Sequence, residues 1–329
     1  MSDTSSTITA LISLALTVGV AYGLAYWSFR AQYDRSAFVG LYLLFGIPGG
    51  LLVIAGAAVL SRGDPRLGVL LLAIGLGLAL PLSEQLRAWL ARIIPIDPGS
   101  PMDMTGLCLL FGLVGFFGAP LVMPGAEAPP AAAAIGSVNY VELVGQAVAF
   151  VLIAYMAVGW RIPTFVSTPG RPFVRTDEEA TRRLGIVRPD LRTVGVGLAA
   201  VPVCFLLAGV IGAIANQLQP GLAEGLESIV DEMTRNVQNP FGAAVLGASA
   251  AIGEEAIFRG ALQPRLGIGL VSLLFALLHA PQYGLNLTIL GLFAVSVVLG
   301  LERKYVNTTA AMITHALYNA LQVLALALS

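Results

Sequence analysis

The sequence predicts an all-α protein: a polytopic transmembrane helical bundle of about ten spans, with its chemistry in the last five. Three observations predict it. The chain has 329 residues, of which 57% are hydrophobic and 11% charged, where a soluble domain carries about 25% charged residues. Apolar runs of roughly 20 residues, the length that crosses a bilayer, recur from one end to the other. The ionisable residues inside such runs gather near the C-terminus. The net charge of -1 hides an uneven distribution of arginines and acids among the loops, which bears on orientation rather than on partners. No basic patch points to nucleic acid, so the expected surroundings are a lipid bilayer.

In order, the candidate spans lie near 8–27, 37–60, 67–82, 104–123, 138–160, 194–218, 241–264, 266–282, 286–301 and 306–328. The third and ninth are short and read as tilted or partial. The opening residues lack the positive segment of a secretory signal, so the first run is expected as a retained span. Trp27, Trp89 and Trp160 fall near span ends, where amphipathic rings sit at headgroup level. Cys108 and Cys204 lie in apolar runs without a CxxC or Cys/His spacing and read as small buried hydrophobes. Within 219–240, Leu222, Leu226, Ile229, Met233 and Val237 recur at helical spacing opposite the acids. That pattern predicts an amphipathic helix on the outer surface, with a substrate gate as the sharper reading.

Orientation follows from the arginines. The stretch 161–192 holds seven of them and is expected in the cytoplasm. Residues 124–139 carry no Lys or Arg, and 219–240 carry Glu224, Glu227, Asp231 and Glu232 against Arg235 alone, so both are expected outside. Arg265 and the Glu302-Arg303-Lys304 cluster fall inside again, which leaves both termini extracytoplasmic. Three regions result: 1–160 with five spans and few polar groups, the arginine-rich loop 161–193, and 194–329, which contains both histidines of the chain. No internal repeat is apparent.

The seventh span begins Phe241 to Gly253, where nine of thirteen residues are Gly, Ala or Ser, the composition of a helix closely packed in lipid. It then carries Glu254, Glu255 and Arg259. On a helix Glu255 and Arg259 share a face, while Glu254 points about 100° away. One carboxylate is thus placed to be neutralised and the other stays free, although a structural ion pair with a snorkelling arginine is an equal reading of the pair. With a turn at Pro264 and Arg265, Glu254 lies roughly 15 Å, His279 roughly 20 Å, His315 roughly 14 Å and Asn319 roughly 20 Å from the same surface. Costly polar groups from three helices at one level predict a shared wet cavity.

Such a set supports water activation by a buried glutamate and an imidazole, with a second His and an Asn amide donating to an oxyanion. Two Glu and two His would equally serve a divalent metal such as zinc, and a proton or ion pathway is the competitor from spacing alone. Against a transporter, no pair of spans is broken at matching positions of two halves. There is no Gly-x-Ser-x-Gly elbow for a serine nucleophile.

Glu254-Glu255-Ala-Ile-Phe-Arg259, Phe275-Ala-Leu-Leu-His279 and His315-Ala-Leu-Tyr-Asn319 resemble, in order and interval, the EExxxR, FxxxH and HxxxN motifs of the CPBP family of intramembrane proteases. That family includes CAAX prenyl endopeptidases and the Abi proteins once grouped with bacteriocin immunity. The resemblance covers about 245–325, with Arg182-Arg-Leu-Gly-Ile-Val-Arg-Pro189 in the same style, and omits the first five spans. It implies an endopeptidase acting on a membrane-associated peptide or protein, in which Glu254 activates water with His279, Glu255 and Arg259 support them, and His315 and Asn319 stabilise the oxyanion. The family has been described both as metal-dependent and as metal-independent; the glutamate-type reading is preferred. A non-catalytic role in peptide immunity or partner sequestration is the alternative. Lys304, the single lysine, suits a GC-rich bacterial genome, and hence a bacterial cytoplasmic membrane.

Overall fold

A computed structural model describes residues 2–119, 137–158, 177–284 and 286–328. Trp160, most of the presumed outer segment 124–139, and Arg161, Arg171 and Arg175 lie outside the described residues. Among those described, the regular structure is helical, without a strand. The N-terminal region comprises α1 (Ser2–Arg30), α2 (Arg35–Ser61), α3 (Pro65–Ala79), the short α4 (Glu84–Leu90), α5 (Pro101–Gly118) and α6 (Tyr140–Ala157). The remainder comprises α7 (Asp177–Leu184), α8 (Leu191–Leu218), α9 (Leu222–Thr234), α10 (Pro240–Glu255), a π-helical turn (Ala256–Leu262), α11 (Gln263–Leu278), α12 (Ala280–Tyr283), α13 (Thr288–Tyr305) and α14 (Thr308–Leu328).

The helix starts are written locally. Asp64-Pro65, Ser100-Pro101 and Asn239-Pro240 each place a capping side chain before a proline that needs no N–H partner. Asn139 and Glu142 form a reciprocal capping box at α6. Small residues then set the packing. A Cβ on Gly56 of α2 would stand 2.8 Å from the Gly68 carbonyl of α3, and one on Gly75 2.7 Å from the Gly49 carbonyl, so these backbones touch. Gly247 of α10 lies against the Ala316 carbonyl of α14 in the same way, which makes the small-residue helix central to the second region.

By length and composition eight segments among the described residues can cross a membrane, one of them running from Pro240 to Tyr283. Gly267, at φ +77° and ψ 167°, breaks that segment in two, a conformation that favours glycine. The break corrects the expected turn at Pro264 and Arg265: the first leg continues through the π turn, and the second is the short stretch 268–278. α13 makes the tenth leg; it is 18 residues long, but Glu302, Arg303 and Lys304 in its last turn lower its apolar content.

Two features go beyond the sequence pattern. The region 161–193 is not all loop, because α7 packs Ala180 and Leu184 in buried positions, Leu184 against Ala154 and Ala256. Glu302, a member of the cluster that marks the inner side, is buried, and its Oε1 accepts from the Thr314 hydroxyl at 2.7 Å. Of its neighbours, Lys304 is exposed and Arg303 is half-buried, donating to the carbonyls of Arg259 and Arg183, each at 3.2 Å. Cys108 and Cys204 are free and buried, as expected.

Candidate active site

The short second leg creates the site. Eleven residues, 268–278, rise about 16 Å at 1.5 Å each, about half of a hydrocarbon core. His279 caps this leg, and the space beyond its end is a pair of cavities of about 150 and 290 Å³. Glu254, His279, Tyr283, Asn319 and Gln322 line both, and His315 lines the larger. α9 lies over them: Val230 lines both, Met233 the smaller and Leu226 the larger. The amphipathic helix expected at the outer surface therefore also contributes the cavities' wall, with Ile229 buried beneath it.

Glu255 and Arg259 stand behind this lining and are both fully buried. Arg259 Nη1 donates to Glu255 Oε1 at 3.0 Å, and Nη2 donates to the Ser296 hydroxyl at 2.8 Å and its carbonyl at 3.1 Å. The guanidinium also lies 4.8 Å from the centroid of Phe275. The pair survives the change from α to π geometry, a distortion frequent at functional sites. Glu255 Oε1 also meets His315 Nδ1 at 2.7 Å. A carboxylate accepts, so Nδ1 carries a proton and the other ring nitrogen is left for the cavity. His279 is fixed in the same sense: its Nδ1 lies 2.8 Å from the Phe275 carbonyl, which only accepts, so in the neutral ring Nε2 holds the lone pair. Its ring lies parallel to Tyr283, 6.2 Å between centroids.

Among the described residues, four buried side-chain polar atoms lack a hydrogen-bond partner: Glu254 Oε2, Glu255 Oε2, Arg259 Nε and Glu302 Oε2. All belong to this region, where unsatisfied polar groups call for a functional explanation. The six residues singled out by sequence thus divide into four that line the cavities and two that brace them. Ser296, Thr314, Glu302, Tyr283 and Gln322 escaped sequence reasoning. Tyr283 had a signal, four residues beyond His279 on the same apolar stretch; Ser296 had none.

A metal finds little purchase in this arrangement. No three His, Cys, Asp or Glu side chains among the described residues group as a metal set. Glu255 is taken up by Arg259 and His315 Nδ1, so the donors left to the larger cavity are Glu254, His279 Nε2 and His315 Nε2, the residue types of a catalytic zinc site but without the close grouping of one. No step below is routed through a metal.

An all-α polytopic membrane bundle that buries carboxylates, an imidazole and a guanidinium beside partly open cavities carries the kind of intramembrane ionisable cluster that marks a functional site. Residues 236–321 match the family model described as type II CAAX prenyl endopeptidase, Rce1-like, a match to part of the chain that supports the resemblance to the CPBP/CAAX proteases. The match takes in Glu254 through Asn319 and leaves the first five spans outside it. No curated protein and no solved structure matches the chain.

Proposed function

We propose that this protein is an intramembrane endopeptidase in which Glu254 and His279 activate a water molecule against a peptide bond of a membrane-associated substrate. One observation carries the reading: Glu254 lines both cavities and keeps one buried oxygen without a partner, while the adjacent Glu255 is neutralised by Arg259. Two neighbouring carboxylates with opposite surroundings can take opposite tasks. Glu254 takes the proton of the attacking water and passes it to the leaving amine, and the lone pair on His279 Nε2 orients that water.

The developing oxyanion needs donors. Asn319 supplies an amide N–H from α14, one turn beyond His315. His315 donates there when both its nitrogens carry protons, and the Glu255 carboxylate at 2.7 Å provides the negative charge opposite that form. Arg259, held by Ser296, fixes the orientation of Glu255 and so of His315. No residue of this set requires a nucleophile on the protein, which suits direct hydrolysis.

The test compares membrane-protein termini and released peptides by mass spectrometry in cells expressing wild type or Glu254→Gln at matched levels. Termini present only with wild type support the protease and name its substrate. A Glu254→Gln protein that yields the same termini, or that retains the native phenotype without any, moves the assignment to partner sequestration.

A further inference from the structure

We infer a second binding site, remote from the candidate active site: a groove between the two regions that holds one phospholipid with an anionic headgroup. The groove encloses about 290 Å³ and is walled by Leu24 of α1, Gly106 and Leu110 of α5, Ile153 of α6, Leu262 of the π turn and Leu274 of α11. None of Glu254, His279, His315 or Asn319 lines it.

Its polar groups gather at one end. Ser28 donates to the Thr105 hydroxyl at 2.8 Å, and Thr105 donates to the Pro101 carbonyl at 2.9 Å, so those two are spent. Asp103 is buried, and both its oxygens are taken: Oδ2 accepts the Asp97 N–H at 2.9 Å and Oδ1 meets Arg265 Nη1. Arg265 differs. Its side chain is 43% exposed, and Asp103 is its one protein partner among the described residues. What faces the mouth of the groove is therefore a set of open N–H donors, with the nearby acceptors already occupied.

A long apolar slot ending in one open guanidinium matches an amphiphile, with an acyl chain in the slot and a phosphate oxygen on the remaining N–H groups. The end concerned is where α1 and α6 finish and α5 begins. The positive-inside pattern assigns that side to the cytoplasm, where anionic headgroups concentrate and basic pockets between helices bind them. Zwitterionic lipids offer the same chains, so the headgroup charge is the discriminating feature.

Purified full-length protein in detergent would be titrated with dioleoyl phosphatidylglycerol or dioleoyl phosphatidylcholine, reading thermal unfolding and lipid adducts by native mass spectrometry. The expected result is a single phosphatidylglycerol adduct and a melting temperature raised more by that lipid than by phosphatidylcholine. Arg265→Gln should weaken the adduct about fivefold, the equivalent of about 1 kcal/mol per cation near a membrane surface. Because that change also strips Asp103 of its partner, Gly106→Phe is the second variant. A Cβ at Gly106 meets nothing within 4 Å, so the ring can grow into the slot. It should abolish the adduct and leave the lipid-free melting temperature unchanged. Equal stabilisation by the two lipids, or an adduct that survives Gly106→Phe, would overturn the assignment.

Discussion

The two halves of this molecule bury different things. In the N-terminal region α2, α3 and α5 meet glycine to backbone, and the buried polar groups are fully engaged: Arg87 donates to the carbonyls of Pro81, Leu82 and Pro98 at 2.6 to 2.8 Å. The C-terminal region packs around Glu255, Arg259, Glu302 and His315 and leaves four polar atoms unpartnered. Tight apolar contact with satisfied polar groups is what a scaffold needs. Retained buried charge, with bonds left open, is what a reacting centre needs. The contrast teaches that the polar census, more than hydrophobic burial, separates scaffold from site in a membrane bundle.

The contrast can be broken or sharpened by substitution. The largest effect is expected from Glu254→Gln, which should lower turnover by about 100- to 10,000-fold, the usual range for a general base, with the melting temperature retained. Arg259→Met strands the buried Glu255 carboxylate and should destabilise by about 3–5 kcal/mol, seen as a lowered unfolding midpoint in detergent. In the scaffold, Gly75→Val should cost about 1–3 kcal/mol through overpacking against Gly49 and Val53, while activity per folded molecule stays unchanged. Loss of specific activity there would erase the division between the halves. Thr314→Val removes the hydrogen-bond partner that the Glu302 carboxylate has among the described residues and should cost about 1–3 kcal/mol, whereas Glu302→Gln, which keeps a hydrogen bond to Thr314, should be milder.

The smallest effect concerns pH. The Ser36 hydroxyl, helped by the N–H groups of Ser36 and Ala37, holds the exposed Asp34 carboxylate at about 2 at the start of α2. A lowered folded-state pKa means that its contribution is present above the ordinary carboxylate range and fades as pH falls from about 4 towards 2. Asp34→Ala should therefore flatten the acid limb of the stability curve slightly, measurable by thermal unfolding across that range, and leave neutral-pH turnover alone.

Much of this was legible in the sequence. Apolar run length located ten legs, and the spacing of Glu255 and Arg259 fixed their pairing, because four residues nearly close a turn in α or π geometry alike. The π turn itself was not legible, since no residue type in Ala256–Leu262 demands it. The turn at Gly267 was masked by Pro264 and Arg265, stronger punctuation that the first leg absorbs. The burial of Glu302 was not legible, because Arg303 and Lys304 make it one of a charged triplet; only the fold shows that this member turns inward to Thr314. Cavity shape depended on where the second leg stops, a tertiary fact.

That abbreviated leg also alters the membrane around the protein. Beside α8, at 28 residues long enough to cross with length to spare, the stretch 268–278 spans about half the hydrocarbon thickness. Six of its eleven residues are buried and Leu273 is its exposed large apolar side chain, so lipid meets the shortfall along a narrow strip, where the leaflet must thin or tilt at fractions of a kcal/mol for each ångström. Acyl-chain length therefore becomes a control variable for this protein: long chains deepen the mismatch and short chains relieve it, so membranes of different thickness should tune one and the same site.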